Sequence, residues 1–199
     1  MSYTGTTFKA LIAAHLNRDD LSNQIATFCE LAVKKLERER FWFQMTSTTV
    51  ATTAAQTYLS LPSGFIQEII DGFRDTSGRS LKKETWAQVD YWQRRSAGTG
   101  EPDYYAIADK FYFYPIPNAT YSLVLQYYKS LGFPTTLTNA WTDDAWDLTF
   151  WATMEEAWNY LGNQEELVKA IMQKNLRLAE LRSLSGKHVS KGQVRYRNF

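Results

Sequence analysis

Few side chains in this 199-residue chain sit in patterns that do chemistry. Of the two histidines, His15 falls at the end of a helical stretch and His188 near the C-terminus. A lone histidine needs a positioned partner before it can move protons. The single cysteine, Cys29, lies beside Phe28 and Ala32 on a helical stripe, where a thiol behaves as a small hydrophobe. Gly98-Thr99-Gly100 runs into Glu101-Pro102 and enters no helix, so it is not a dinucleotide loop. Ser185-Gly186-Lys187 has neither the strand nor the upstream glycine of a phosphate loop. Leu61-Pro62-Ser63-Gly64 lacks the pattern of a nucleophile elbow. Glu155-Glu156 and Glu165-Glu166 are adjacent pairs that diverge on a helix and cannot share one metal, and no Glu-x-x-His motif accompanies them. They read as solvated faces, or as an acidic lining if the chain forms a ring. The expectation is a non-enzymatic protein with no catalytic residue, no metal and no cofactor.

Binding chemistry is better represented. Aromatic residues make up 15% of the chain, and each can bury a large area in a core or anchor an interface. Tyr104, Tyr105, Tyr112 and Tyr114 could form a stacking platform for bases or sugars. Only Lys110 supplies positive charge between Tyr104 and Tyr128, so a carbohydrate- or nucleic-acid-binding module is the alternative reading. The C-terminus carries no acidic residue after Glu180, while Arg182, Lys187, Lys191, Arg195 and Arg197 are basic. Gly186 and Gly192 discourage helix there, and Tyr196 and Phe199 offer aromatic anchors. The composition predicts an extended basic tail over 185–199, either a frayed, solvated terminus or a segment that orders on a partner.

The formal net charge of +1 gives no global field toward nucleic acid or membrane. One cysteine excludes an internal disulfide framework and a multi-cysteine zinc site. The apolar run Leu11–Ala14 is too short for a signal peptide, and no stretch approaches a membrane span of about 20 apolar residues. Hydrophobic content of 44% is ordinary for a folded chain. Synthesis in a reducing cytoplasm is expected.

All five prolines lie between Pro62 and Pro134, which predicts helical ends around a β-rich middle. The fold class is α+β: an antiparallel helical bundle from the N- and C-terminal helices, an inserted antiparallel β-rich region and the extended tail. The predicted segments are 1–45, 46–134, 135–184 and 185–199. Thr6 or Thr7 should cap the first helix. A second helix starts near Asp19 or Asp20, with Leu21, Ile25, Phe28, Ala32 and Leu36 on one stripe, and with Glu30–Lys34 and Lys35–Glu39 as pairs on its solvent side. Phe65–Phe73 and Leu81–Trp86 read as strands joined by a turn at 75–78, and 87–95 as a short helix. From Asp143 the helical period returns. Trp146, Phe150, Met154, Trp158 and Leu161 form a stripe, and the aromatic-rich region around Trp141–Tyr160 serves either the core, the favoured reading, or a subunit interface. Gly162-Asn163 breaks it, and a last helix over Gln164–Ser183 packs antiparallel with Leu167, Ile171, Leu178 and Leu181 inward.

The most informative stretch is Gly100–Lys129. Tyr121, Leu123, Leu125 and Tyr127 share one face of a strand, with Ser122, Val124, Gln126 and Tyr128 on the other. Phe111 and Phe113 alternate with Tyr112 and Tyr114, and Ala108-Asp109-Lys110 separates them from Tyr104–Ile107 as a hairpin loop. Pro115-Ile116-Pro117-Asn118 ends that run. Three short antiparallel strands result. The pattern of Gly100, Pro102, Tyr105, Ile107, Asp109, Phe113, Pro115, Pro117, Tyr121, Leu123, Leu125, Tyr127 and Tyr128 resembles the head-to-tail adaptor (connector) proteins of tailed bacteriophages. Asn118 stands where that family usually has Asp. The order of two helices, β insertion, two helices and tail is similar to that family across nearly the whole chain.

The resemblance implies a structural virion protein at the portal–tail junction, forming a dodecameric ring with copies of itself under the portal ring. It implies contact with downstream tail or nozzle proteins and a lumen that passes genomic DNA without reading its sequence. It also implies that the tail binds the portal through Lys187, His188, Lys191, Arg195, Tyr196, Arg197 and Phe199.

Overall fold

The computed structural model describes residues 2–96 and 98–196, with side chains at all of these except 70, 71 and 189–196. The chain forms two compact units, one from Met1–Gln44 with Leu131–Phe199 and the other from Met45–Ser130.

The first unit opens with α1 (Gly5–Leu16). Its cap is Thr4, not Thr6 or Thr7: the Thr7 N–H donates to Thr4 Oγ1 at 3.1 Å, satisfying an orphan donor of the first turn. A close approach fixes this start, because a Cβ on Gly5 would lie 1.9 Å from the Pro134 carbonyl oxygen. Helix α2 (Ser22–Leu36) follows with Leu21 as the flanking residue and no side-chain cap. Asp20 bonds Arg18 instead of capping. Leu21, Ile25, Phe28, Ala32 and Leu36 are all buried, as their spacing predicts. Two 3-10 turns, Glu37–Glu39 and Trp42–Gln44, end this half. Glu37 is buried, and its Oε1 accepts from the Leu131 and Gly132 N–H groups, both at 2.8 Å. A carboxylate that two backbone donors satisfy can stay buried, and it ties α2 to the point where the chain re-enters the unit.

The second unit contains β1 (Met45–Ala51), β2 (Tyr58–Leu59), β3 (Phe65–Asp75), β4 (Lys82–Lys83), α3 (Trp86–Ser96), β5 (Thr99–Gly100), β6 (Tyr104–Ile107), β7 (Phe111–Tyr114), β8 (Ile116–Pro117) and β9 (Ser122–Lys129). The sheets run β1-β9-β3, β2-β7-β6-β4 and β5-β8. Pairing is antiparallel except for β4 with β6 and β5 with β8, which are parallel. The β6–β7 hairpin forms as its alternation predicts, but β9 is not its third strand. Pro115 and Pro117 have no N–H to donate to a ladder, and β9 pairs across β1 and β3 instead. The predicted strand over Leu81–Trp86 shrinks to two residues because Trp86 opens α3. The core joins Phe73 of β3 and Leu123, Leu125 and Tyr127 of β9 to Tyr105 of β6 and Phe111 and Phe113 of β7. The Phe73 ring meets those of Tyr105, Phe111 and Phe113 at 4.8–5.5 Å, edge to face.

Back in the first unit, α4 (Trp146–Leu161) ends at Gly162, whose φ of 71° closes the helix. Phe150 and Met154 are buried and Trp146, Trp158 and Leu161 half-buried, so this stripe serves the core. Trp141, ahead of the helix, is fully buried. Helix α5 is the main departure. It runs Gln164–Tyr196, 33 residues, and does not give way to an extended tail after Ser183. Glycine costs a helix only about 1 kcal/mol, and side-chain contacts on both sides of Gly186, described below, hold the segment helical. Leu181 is buried, and Leu167, Ile171 and Leu178 are half-buried.

Candidate functional site

The signature residues act as packing and turn elements of the second unit. Tyr105 is 1% exposed and points into the core. Leu123, Leu125 and Tyr127 face inward while Val124, Gln126 and Tyr128 alternate with them. Tyr127 stacks on Phe65 at 5.6 Å. Gly100 pairs with Pro117 in the β5–β8 ladder, and Pro102 and Pro117 are buried while Pro115 is half-buried. The Tyr121 hydroxyl donates to Asn118 Oδ1 at 2.5 Å, and the Tyr121 N–H donates to Thr52 Oγ1 at 2.9 Å. A carboxylate at 118 would accept the same bond, so Asn at this position preserves the turn.

The tyrosine platform is not open. Tyr105 faces the core, and Trp92 of α3 lies 5.0 Å from the Tyr104 ring and 5.3 Å from Tyr114. Gln93 of the same helix donates to the Phe113 carbonyl at 2.9 Å, and the Tyr114 hydroxyl pairs with Ser96 Oγ at 2.5 Å. Tyr112 donates to Asp109. A helix therefore occupies the face on which bases or sugars would stack.

The paired carboxylates are engaged in ion pairs. Glu155 holds Lys174 at 2.6 Å and Glu156 holds Lys35, so the neighbours reach to different helices, as the divergence of adjacent residues requires. Glu165 and Glu166 both bind Lys169, at 2.7 and 2.8 Å. Those bonds raise the Lys169 pKa and lower that of Glu165. The expected Lys35–Glu39 pair is replaced: Lys35 goes to Glu156, and Glu39 takes Arg182. Burial pushes the Cys29 thiol up to about 12, and His15 packs edge-on against Phe150 at 5.2 Å. Among the described residues no cluster of His, Cys, Asp or Glu could hold a metal, and no helix is long and apolar enough to cross a membrane.

The tail residues come out differently from one another. The His188 ring stacks on Trp42 at 4.9 Å and 17°. Three residues earlier, the Trp42 N–H donates to Ser185 Oγ at 3.2 Å, and Arg182 bonds Glu39 at 2.5 Å. These contacts bracket Gly186 and fasten α5 to the 3-10 turns. Lys187 is exposed beside them. Lys191, Arg195 and Tyr196 lie on the helix with side chains outside the described set, and Arg197 and Phe199 lie outside the described residues altogether. Sequence reasoning missed Trp42, Ser185 and Glu39. The only signal for them was the aromatic cluster Phe41-Trp42-Phe43 after α2.

A helical unit interrupted by a β unit, whose signature residues pack and turn, fits the class of phage head-to-tail adaptors. The chain belongs to the SU10 adaptor protein family, a family of phage head-to-tail adaptors, whose profile matches residues 3–197. No curated protein matches the sequence.

Proposed function

We propose that this chain assembles as a ring under the portal, joins the capsid to the tail and continues the channel for DNA. The observation that carries this reading is the family match, which spans both units and the whole of α5. The ring is dodecameric and sits in the virion neck after synthesis in the host cytoplasm. Downstream tail or nozzle proteins dock on it, and DNA crosses its lumen without base readout. The portal contact lies at the C-terminal end of α5, through Lys187, His188, Lys191, Arg195, Tyr196, Arg197 and Phe199. The absence of carboxylates after Glu180 suits an acidic portal groove.

Cosedimentation with tailless, genome-filled heads tests this. Full-length protein is compared with a chain ending at His188, which keeps the Trp42 contacts. The full chain should pellet with heads and the shortened one should remain in the supernatant. Equal binding of both would move the portal contact off the tail. Binding of neither would remove the adaptor reading.

A further inference from the structure

The two edges of the β1-β9-β3 sheet are finished differently. In β3 the register against β9 slips twice, between Phe65 and Gln67 and between Glu68 and Phe73. Near its C-terminal end the outward groups are taken by the chain folding back. The Leu81 N–H donates to the Phe73 carbonyl at 2.9 Å, and the Asp75 N–H donates to the Arg79 carbonyl at 2.9 Å. Bulges and a covering segment are devices that close an edge.

Strand β1 has neither. Its seven residues pair with β9 in unbroken register, from Met45 opposite Tyr128 to Ala51 opposite Ser122. The Thr52 N–H donates to the Tyr121 carbonyl at 2.9 Å, and bonded positions alternate along an antiparallel ladder. Thr46, Thr48 and Val50 therefore turn their backbone groups to β9, and Met45, Ser47, Thr49 and Ala51 turn theirs to the open side. Those four residues are exposed, and no other described segment bonds to their outward backbone groups. No charged residue occurs from Met45 to Gln67, and β1 holds no proline, so neither repulsion nor a missing N–H guards this edge. An open, regular, uncharged edge is a template for one more strand.

The occupant follows by elimination. The edge strands of the other sheets, β2, β4, β5 and β8, are two residues long, and β3 is closed, so no other strand edge of this chain matches β1. The β1 strand of a second copy would be the same surface twice, a two-fold contact that a cyclic ring does not contain. We propose that the open edge of β1 receives an extended, uncharged segment of a downstream tail protein as a fourth strand, an assignment that rests on the adaptor reading above. Backbone N–H and C=O groups carry the contact. Ser47 and Thr49 favour hydroxyl-bearing or β-branched side chains opposite them.

Joining of heads to tails tests the assignment. Tailless heads carrying the natural chain, Thr49→Pro or Thr49→Ser are mixed with head-free tails of the same source, and joined particles are counted by electron microscopy. Proline at 49 removes an N–H that points away from β9, which an edge strand tolerates. Thr49→Pro should therefore bind heads yet join tails about tenfold less. Thr49→Ser keeps the N–H and should join as the natural chain does. Equal joining by Thr49→Pro would overturn the assignment and leave the adaptor reading intact. Loss with Thr49→Ser as well would give the contact to side chains and overturn it too. If Thr49→Pro does not fold, hydrogen exchange on the natural chain decides, because the amides of 45–51 should slow when tails join. Slowing on heads alone would give the edge to a neighbouring copy, and no slowing would leave it unfilled; either result overturns the assignment. Heads that take up the natural chain and never join tails would remove the adaptor reading and this assignment with it.

Discussion

Strand β9 and helix α5 both carry apolar residues at regular spacing, and they use them differently. In β9 the inward set Leu123, Leu125 and Tyr127 is buried, and the opposite face is polar or half-buried. In α5 one apolar stripe, ending in Leu181, joins the core, while Val168, Met172 and Leu176 point to solvent. The β unit uses its apolar pattern to complete its own core. The helical unit leaves part of its pattern exposed. A period alone therefore says which residues share a face, and a second stripe on the same element says that there are two faces to cover.

The largest expected effect lies on the closed side of this comparison. Phe73 is fully buried and touches three aromatic rings, so Phe73→Ala should cost about 3–5 kcal/mol. Urea unfolding reads this as a lower midpoint at unchanged slope. A loss under about 1 kcal/mol would mean that the β unit is not tightly packed, and the contrast with α5 would fail.

A smaller effect is expected at the turn that closes β3. Asp75 accepts hydrogen bonds from Ser77 and Arg79, which hold its carboxyl down at about 2, against an ordinary 3.8. Arg79 is bonded in turn to Glu101 and Asp103. A group whose pKa is lower when folded adds stability above its unfolded pKa and loses it as pH falls through the folded value. Asp75→Asn should therefore destabilise the chain at pH 7, and its deficit against the natural chain should shrink from about pH 4 toward pH 2. Circular-dichroism melts across that range measure it. A deficit independent of pH would show that the turn rests on geometry and not on the charge.

The sequence made the β6–β7 hairpin, the inward face of β9 and the stripe of α2 legible because each is a local period bounded by turn residues. It did not reveal which sheet β9 joins, since pairing partners distant in sequence leave no local mark. It misplaced the end of α5 for a related reason. Gly186 and Gly192 argue locally against helix, while Arg182, Ser185 and His188 fasten the segment to residues about 140 positions earlier. The tyrosine platform failed in the same way: four tyrosines alternate as an open face would, and only the folded chain shows α3 lying over it. Glu37 gave no signal, because its acceptors' partners are backbone groups of Leu131 and Gly132.

The smallest expected effect sharpens the comparison most. Met172 is 66% exposed on α5, and glutamine matches methionine closely in helix propensity. Met172→Gln should leave the stability of the isolated chain within about 0.5 kcal/mol, as for surface positions away from special features. If the outward strip exists to meet a neighbour, the same change should lower occupancy of tailless heads at limiting protein. The two readouts must separate. A change of about 2 kcal/mol in the isolated chain would place Met172 in the core, and α5 would then have only one apolar face. A silent substitution in both assays would leave the strip exposed with no part in assembly. Stability retained with head binding lost is the outcome that distinguishes a face kept for assembly from one kept for folding.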